Sequence, residues 1–146
     1  MKRFNTLLSV WVFIFLISSC ATQKSKEDPS KIGKFYHDVT SKYNGYFNAN
    51  ELLEGSIASL NEQHQDNYNK ILSVYKYSAT DNASAVASDL DNAIKKVSVV
   101  ASLHPASHWK DDCYLLMGQA QFIKKDYESA EETLEFMVDE YDPKNA

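Results

Sequence analysis

From residue 31 onward the chain repeats one motif, apolar residues at three- and four-residue spacing interrupted by short polar breaks. Ile32, Phe35, Tyr36, Val39, Tyr43, Tyr46 and Phe47 follow that spacing and predict a helix with one buried face. Asn48, with Glu51 three residues later, predicts a capping box and a second helix whose inner side carries Leu52, Leu53, Ile57 and Leu60. The pattern fades near His64, and the polar residues 65–69 predict a turn. Residues 71–77 fit a strand-like connector or a short helix, since seven residues are too few for periodicity to decide. A third helix starts near Asp81 or Asn82 and aligns Val86, Leu90, Ala93, Ile94, Val97 and Ala101. It stops at His104-Pro105, because proline lacks an amide hydrogen and disfavours helical geometry in the residue before it. Two more helices are predicted over 110–124 and 127–141, with Asp126 as the cap between them. Lys124 and Lys125 suit the negative end of the first, and Glu128, Glu131 and Glu132 the positive end of the second. The prediction is an all-α fold of about five helices, arranged as helical hairpins in a solenoid.

The first thirty residues follow a different pattern. Met1-Lys2-Arg3 is cationic, residues 7–17 are almost unbrokenly apolar, and Ile17-Ser18-Ser19-Cys20 ends the run with two small residues before a cysteine. That is the layout of a secretory signal, too short to span a bilayer. It resembles a bacterial lipobox, which implies cleavage between Ser19 and Cys20 and acylation of Cys20 as the first residue of the mature chain. Residues 1–19 are therefore read as a lipoprotein signal peptide, 20–30 as a lipidated tether and 31–146 as the helical domain. The tether is polar and aperiodic, with a reach of roughly 30 Å when extended. No acidic cluster follows Cys20 directly, which favours a periplasm-facing position over surface display.

Charge narrows the class of partner. Lys2 and Arg3 leave with the signal, so 13 of the 15 basic residues face 20 acids, a net charge of −7. A nucleic-acid partner is not expected, because it would need a basic face, and charge alone would not hold the chain on anionic lipid. With Cys20 acylated, Cys113 is left as a single free thiol, so no intramolecular disulfide is available and the fold must rest on packing.

The last two predicted helices carry a more specific pattern: Tyr114-x2-Met117-Gly118, then Ala120 and Phe122, then Asp126-Tyr127, Ala130-x3-Leu134 and finally Pro143. This resembles a tetratricopeptide repeat, whose small positions let two helices cross closely. Gly118 and Ala130 are expected to face each other across that crossing, with Tyr114, Met117 and Leu134 packing around them. Gln121 and Leu134 depart from the usual aromatics, and Pro143 falls one position late. Ala93-x3-Val97, Val100 and Pro105 echo the second helix of a preceding repeat. Stacked pairs bury faces that a lone pair leaves wet, so the reading extends to an N-terminal portion of a longer solenoid.

Other chemistry is thin. His104 and His108 flank Pro105, so one helix cannot present both to a metal ion, and no metal or other cofactor is expected beyond the covalent lipid on Cys20. Asp111 and Asp112 would raise the Cys113 pKa, which makes it a buried structural thiol and not a nucleophile. The series Tyr36, Tyr43, Tyr46, Phe47 is read as core in preference to a ligand platform, and Trp109 as a plug between repeats. Asn44-Gly45 marks either a close helix crossing or a helix end, since glycine costs about 1 kcal/mol within a helix. No catalytic constellation or glycine-rich phosphate loop appears, so no enzymatic activity and no small-molecule substrate are expected.

The blocks Tyr43-Asn44-Gly45-Tyr46-Phe47-Asn48-Ala49 and Trp109-Lys110-Asp111-Asp112-Cys113-Tyr114 are more distinctive than any repeat pattern. With His64-Gln65-Asp66-Asn67-Tyr68, Val74-Tyr75-Lys76-Tyr77 and Ala93-Ile94-Lys95-Lys96, they give nearly all of the mature chain a sequence that resembles the SprE/PorW-type lipoproteins of gliding motility and type IX secretion in Bacteroidota. The resemblance implies an outer-membrane lipoprotein that scaffolds proteins of an envelope secretion complex. A lipoprotein of outer-membrane protein assembly or of glycan uptake is the alternative, although a glycan binder should carry more loop tryptophan than Trp109 alone.

Overall fold

The computed structural model describes residues 29–80 and 83–142. Ser19, Cys20 and the signal peptide lie outside the described residues, as do most of the tether, Asp81, Asn82 and Pro143. Helix α1 runs Lys31–Thr40, and its N-cap Ser30 accepts a hydrogen bond from the Gly33 N–H at 3.2 Å. The chain then continues, without leaving helical geometry, through a π-helical segment Ser41–Phe47 into α2, Asn48–Gln63. After an irregular stretch come a short α3, Lys76–Ala79, a 3₁₀ turn, Ala83–Val86, and α4, Ala87–Leu103. Helices α5, Lys110–Ile123, and α6, Tyr127–Glu140, complete an all-α, helical-hairpin fold.

The predicted break at Asn48 does not exist. Its φ of −66° and ψ of −28° are helical, and its backbone N–H bonds to the Gly45 carbonyl. A π segment shifts the hydrogen-bond register and leaves carbonyls without their usual donors. The Asn48 side chain supplies them, donating from Nδ2 to Tyr43 O at 3.0 Å and to Asn44 O at 3.2 Å. The residue read as a stop thus splices α1 and α2 into one rod.

The core lies where α4 is sandwiched between α2 and α5, with α6 packed on α5. Ala49, Leu53 and Leu60 come from α2, Leu90, Ala93, Val97 and Val100 from α4, and Cys113, Leu116, Ala120 and Ile123 from α5. Of the predicted inner positions, Leu90, Ala93 and Val97 of α4 and Val86 of the 3₁₀ turn are buried, Ile94 and Ala101 are half-buried, and Val100 joins the buried set.

The predicted inner face of the first helix, by contrast, is on the outside. Ile32 is 81%, Phe35 69% and Tyr36 62% exposed, with Val39, Tyr43 and Phe47 also exposed, and α1 buries no residue. Ser41 and Gly45 are the buried residues of the π segment, and the rod meets α4 on their side. The reason is steric: the small residues allow close backbone approach, and the aromatic side does not. Of the aromatic series, Tyr46 alone packs against the core. Residues 64–75 form no helix or strand, with Ile71 and Val74 exposed, so the ambiguous 71–77 stretch becomes mostly irregular connector. Among the described residues no helix is long and apolar enough to cross a membrane.

Candidate functional site

The α5–α6 hairpin is closed by a tight turn in which Lys125 adopts a left-handed φ of 66°. Asp126 N–H bonds to Gln121 O at 3.0 Å and Lys125 N–H to Phe122 O at 2.9 Å, the paired bonds of a Schellman motif. Asp126 then caps α6 by accepting from Ser129 N–H at 3.4 Å, as its position predicted. This turn sets the register in which Gly118 meets α6. A Cβ on Gly118 would lie 2.6 Å from Leu134 Cδ2 and 2.7 Å from Leu134 Cγ. Gly118 therefore faces Leu134, one turn beyond the expected Ala130. Ala130 is itself buried, Met117 packs at the edge of the core, and the Tyr114 ring lies 5.0 Å from Phe136 and 6.2 Å from Tyr141.

Cys113 is fully buried on α5. Burial, reinforced by Asp112 and Asp111, pushes its thiol up to about 12, so at neutral pH it is a protonated packing group and no nucleophile.

The two most distinctive sequence blocks meet in space. Tyr46 of the π segment stacks on Trp109 at 5.3 Å between centroids, and Lys42 Nζ sits 5.1 Å over the same indole. Next to them, Asp38 Oδ1 accepts from Ser107 Oγ at 3.1 Å, from His108 N–H at 3.1 Å and from His108 Nδ1 at 2.9 Å. Partial burial pushes the Asp38 carboxyl up, but the His108 backbone, the Ser107 hydroxyl and the His108 ring outweigh it and hold the group below its ordinary 3.8. Beside this contact, His37 Nδ1 and His104 Nδ1 are 2.8 Å apart. One ring must donate from Nδ1–H while the other is the Nε2–H tautomer, and Tyr36 lies against both. Burial first, and the neighbouring His37 second, hold His104 below its ordinary 6.5. The helical rod is thus pinned to the 104–109 connection by polar contacts at one end and by an aromatic plug at Trp109.

His104 and His108 serve separate partners, and among the described residues no group of three or more His, Cys, Asp and Glu could hold a metal ion. The sequence alone assigns no role to Ser107 and does not pair His37 with His104. The signal that marks the inner side is the four-residue spacing of His37, Ser41 and Gly45, polar and small residues opposite the aromatic ones.

Two shallow grooves follow α5. One, of about 350 Å³, is lined by Leu53, Ile57, Tyr77, Leu115, Phe122 and Leu134, with Glu54 beside them. The other, of about 430 Å³, lies between Asp111, Asp112 and Leu115 of α5 and Met137, Val138 and Tyr141. Leu115 belongs to both, so together they form one apolar track with carboxylates along it. Such a surface suits a peptide or helix that carries apolar and basic side chains.

No family model, curated protein or solved structure matches the chain.

Proposed function

We propose that this chain is a lipid-anchored scaffold that holds protein partners of an envelope secretion machine, at the periplasmic face of the outer membrane. The observation that carries the reading is the acid-edged apolar track beside α5, built by a helical hairpin whose crossing residues, Gly118 and Leu134, fall at repeat-like positions. Helical hairpins present broad surfaces to protein segments, and they bind without covalent chemistry. The lipobox ending at Cys20 supports an anchor, and the resemblance of the 43–49 and 109–114 blocks to the SprE/PorW-type lipoproteins supports type IX secretion and gliding as the setting. Those two blocks are in contact through Tyr46 and Trp109.

The test is recovery of the lipidated chain from envelope membranes with its partners, paired with a clean deletion. Secretion components in the pull-down and cargo stranded in the periplasm are the expected results. Normal export in the deletion strain, with impaired growth on a polysaccharide, would refute the scaffold and favour glycan uptake.

A further inference from the structure

The rod formed by α1 and the π segment is amphipathic, yet it meets the rest of the fold through its polar side. His37 and Asp38 bond to the 104–109 connection, and Ser41 and Gly45 are buried. The opposite side carries Ile32, Phe35, Tyr36, Val39, Tyr43 and Phe47, all exposed. The three- and four-residue steps of α1 and the wider turn of the π segment keep these six in one stripe roughly 20 Å long. Contiguous exposed apolar surface of this kind marks a contact.

We propose that this stripe is an interfacial membrane contact, lying in the headgroup layer of the bilayer that holds the lipid on Cys20. The proposal rests on the reading of Cys20 as acylated. Three observations select lipid as the occupant. Lys31 is eleven residues after Cys20, so an anchored chain keeps the start of α1 within roughly 40 Å of the bilayer, ahead of every other described element. The rod is also the basic part of an acidic protein. Residues 31–47 contain Lys31, Lys34 and Lys42 against Asp38 alone, a net +2, which leaves −9 for the rest of a mature chain of −7. Lys31 and Lys42 border the stripe, whereas the Asp38 carboxylate accepts from Ser107 and His108. Lastly, the stripe is rich in tyrosine and phenylalanine, whose rings and hydroxyls suit the boundary between acyl chains and water. Two copies pressed stripe to stripe would bring their bordering lysines together, which disfavours self-association through this face.

An interfacial helix would hold the domain close to the membrane, with the net negative remainder facing water. Weak binding by the stripe is sufficient, because the anchor raises its effective concentration at the surface.

The experiment uses the lipidated chain reconstituted into vesicles of phosphatidylethanolamine and phosphatidylglycerol. A nitroxide is placed at Phe35→Cys or Tyr43→Cys on the stripe, and at Glu132→Cys on α6 as the water reference. Cys113 is wholly buried and stays unlabelled, and the diacylglyceryl thioether blocks Cys20. Power-saturation spectroscopy then compares collisions with oxygen, which concentrates in lipid, and with a water-soluble nickel chelate. Oxygen should dominate at both stripe positions and nickel at Glu132. Nickel dominance at the stripe positions, with acyl chains on Cys20 confirmed by mass spectrometry, would overturn the proposal while sparing the anchor. Spin–spin broadening between labels would overturn it in favour of a second copy. A Cys20 without acyl chains would overturn the anchor and the proposal together, so the two failures are told apart by mass.

Discussion

Gly45→Ala is the sharpest perturbation of this fold, because one added methyl strikes the seam that joins the helical rod to α4. The new Cβ would lie far inside contact distance of Val100 Cγ2, with Val100 Cβ at 3.6 Å and the Lys96 carbonyl at 3.8 Å. Carbon atoms pack at about 3.5–4.0 Å, so the methyl cannot fit without movement. Val100 is only 2% exposed, and a β-branched side chain in a helix has essentially one χ1 well, so it cannot swing aside. The rod must retreat, which strains the Asp38, His37 and Tyr46 contacts along the same seam. Overpacking of this kind costs about 1–3 kcal/mol. Alanine's better helix propensity returns about 1 kcal/mol at most. Because Val100 is tightly packed, the upper part of that range applies, so the expected net loss is about 1–2 kcal/mol, or a melting temperature lower by roughly 3–10 °C for a domain of this size.

A double-mutant cycle separates the clash from a general loss of fit. Val100→Ala alone removes two buried methyls, which costs roughly 2 kcal/mol once the cavity is included. In the double variant the new methyl occupies part of that cavity, so the combined loss should fall short of the sum by about 1 kcal/mol or more. Urea unfolding followed by far-ultraviolet circular dichroism measures all four corners. A Gly45→Ala chain as stable as the parent, or strict additivity, would refute the close crossing.

Gly118→Leu should destabilise by about 1–3 kcal/mol through Leu134 and Gly118→Ala by less, because the alanine methyl already meets Leu134 Cγ and Cδ2 and the half-buried Leu134 must turn about χ1 to clear it; chemical denaturation of both variants checks the order. Lys125→Gly should stabilise by roughly 0.5–1 kcal/mol, read as a higher melting temperature, since glycine holds the left-handed φ without a Cβ penalty. Stability should fall as pH drops below 6.5, the ordinary His104 value, because the unfolded chain takes up a proton that the buried ring resists. His104→Gln should flatten that part of the melting profile. A second loss should begin below 3.8, where Asp38 is ionised in the folded state and protonated in the unfolded one, and Asp38→Asn should remove it. Cys20→Ala should abolish incorporation of labelled fatty acid and release the chain from the membrane fraction.

Much of the helical plan was legible because spacing alone fixes which side of a helix can be buried once that side is apolar. Leu90, Ala93 and Val97 illustrate this, and so do the Asp126 cap and the stop at His104-Pro105. Asn48 misled because asparagine is both a good cap and a good donor to loose carbonyls, and only the π register decides which role it takes. Asn44-Gly45 offered a crossing or an end, and the structure selects the crossing. The stripe of α1 misled for a deeper reason. Periodicity finds an apolar face but is silent on what covers it, and here the small and polar residues at 37, 41 and 45 make the intramolecular contact.

That inversion also accounts for the density of the 43–49 block. Gly45 permits the crossing, Ala49 is fully buried beside it, Asn48 repairs the π register and Tyr46 locks Trp109, while Tyr43 and Phe47 point away from the core. A core helix would need only the apolar residues at their usual spacing. A helix with two working faces needs nearly every position specified, one face by the steric limits of α4 and the other by whatever it meets outside the fold. The π segment follows from the same demand, since widening the turn re-aims the side chains between α1 and α2 while the rod stays continuous. Substitutions on the two faces should therefore separate cleanly: inward changes such as Gly45→Ala lower stability, and outward changes such as Phe35→Ser leave the melting temperature unchanged and weaken only the external contact.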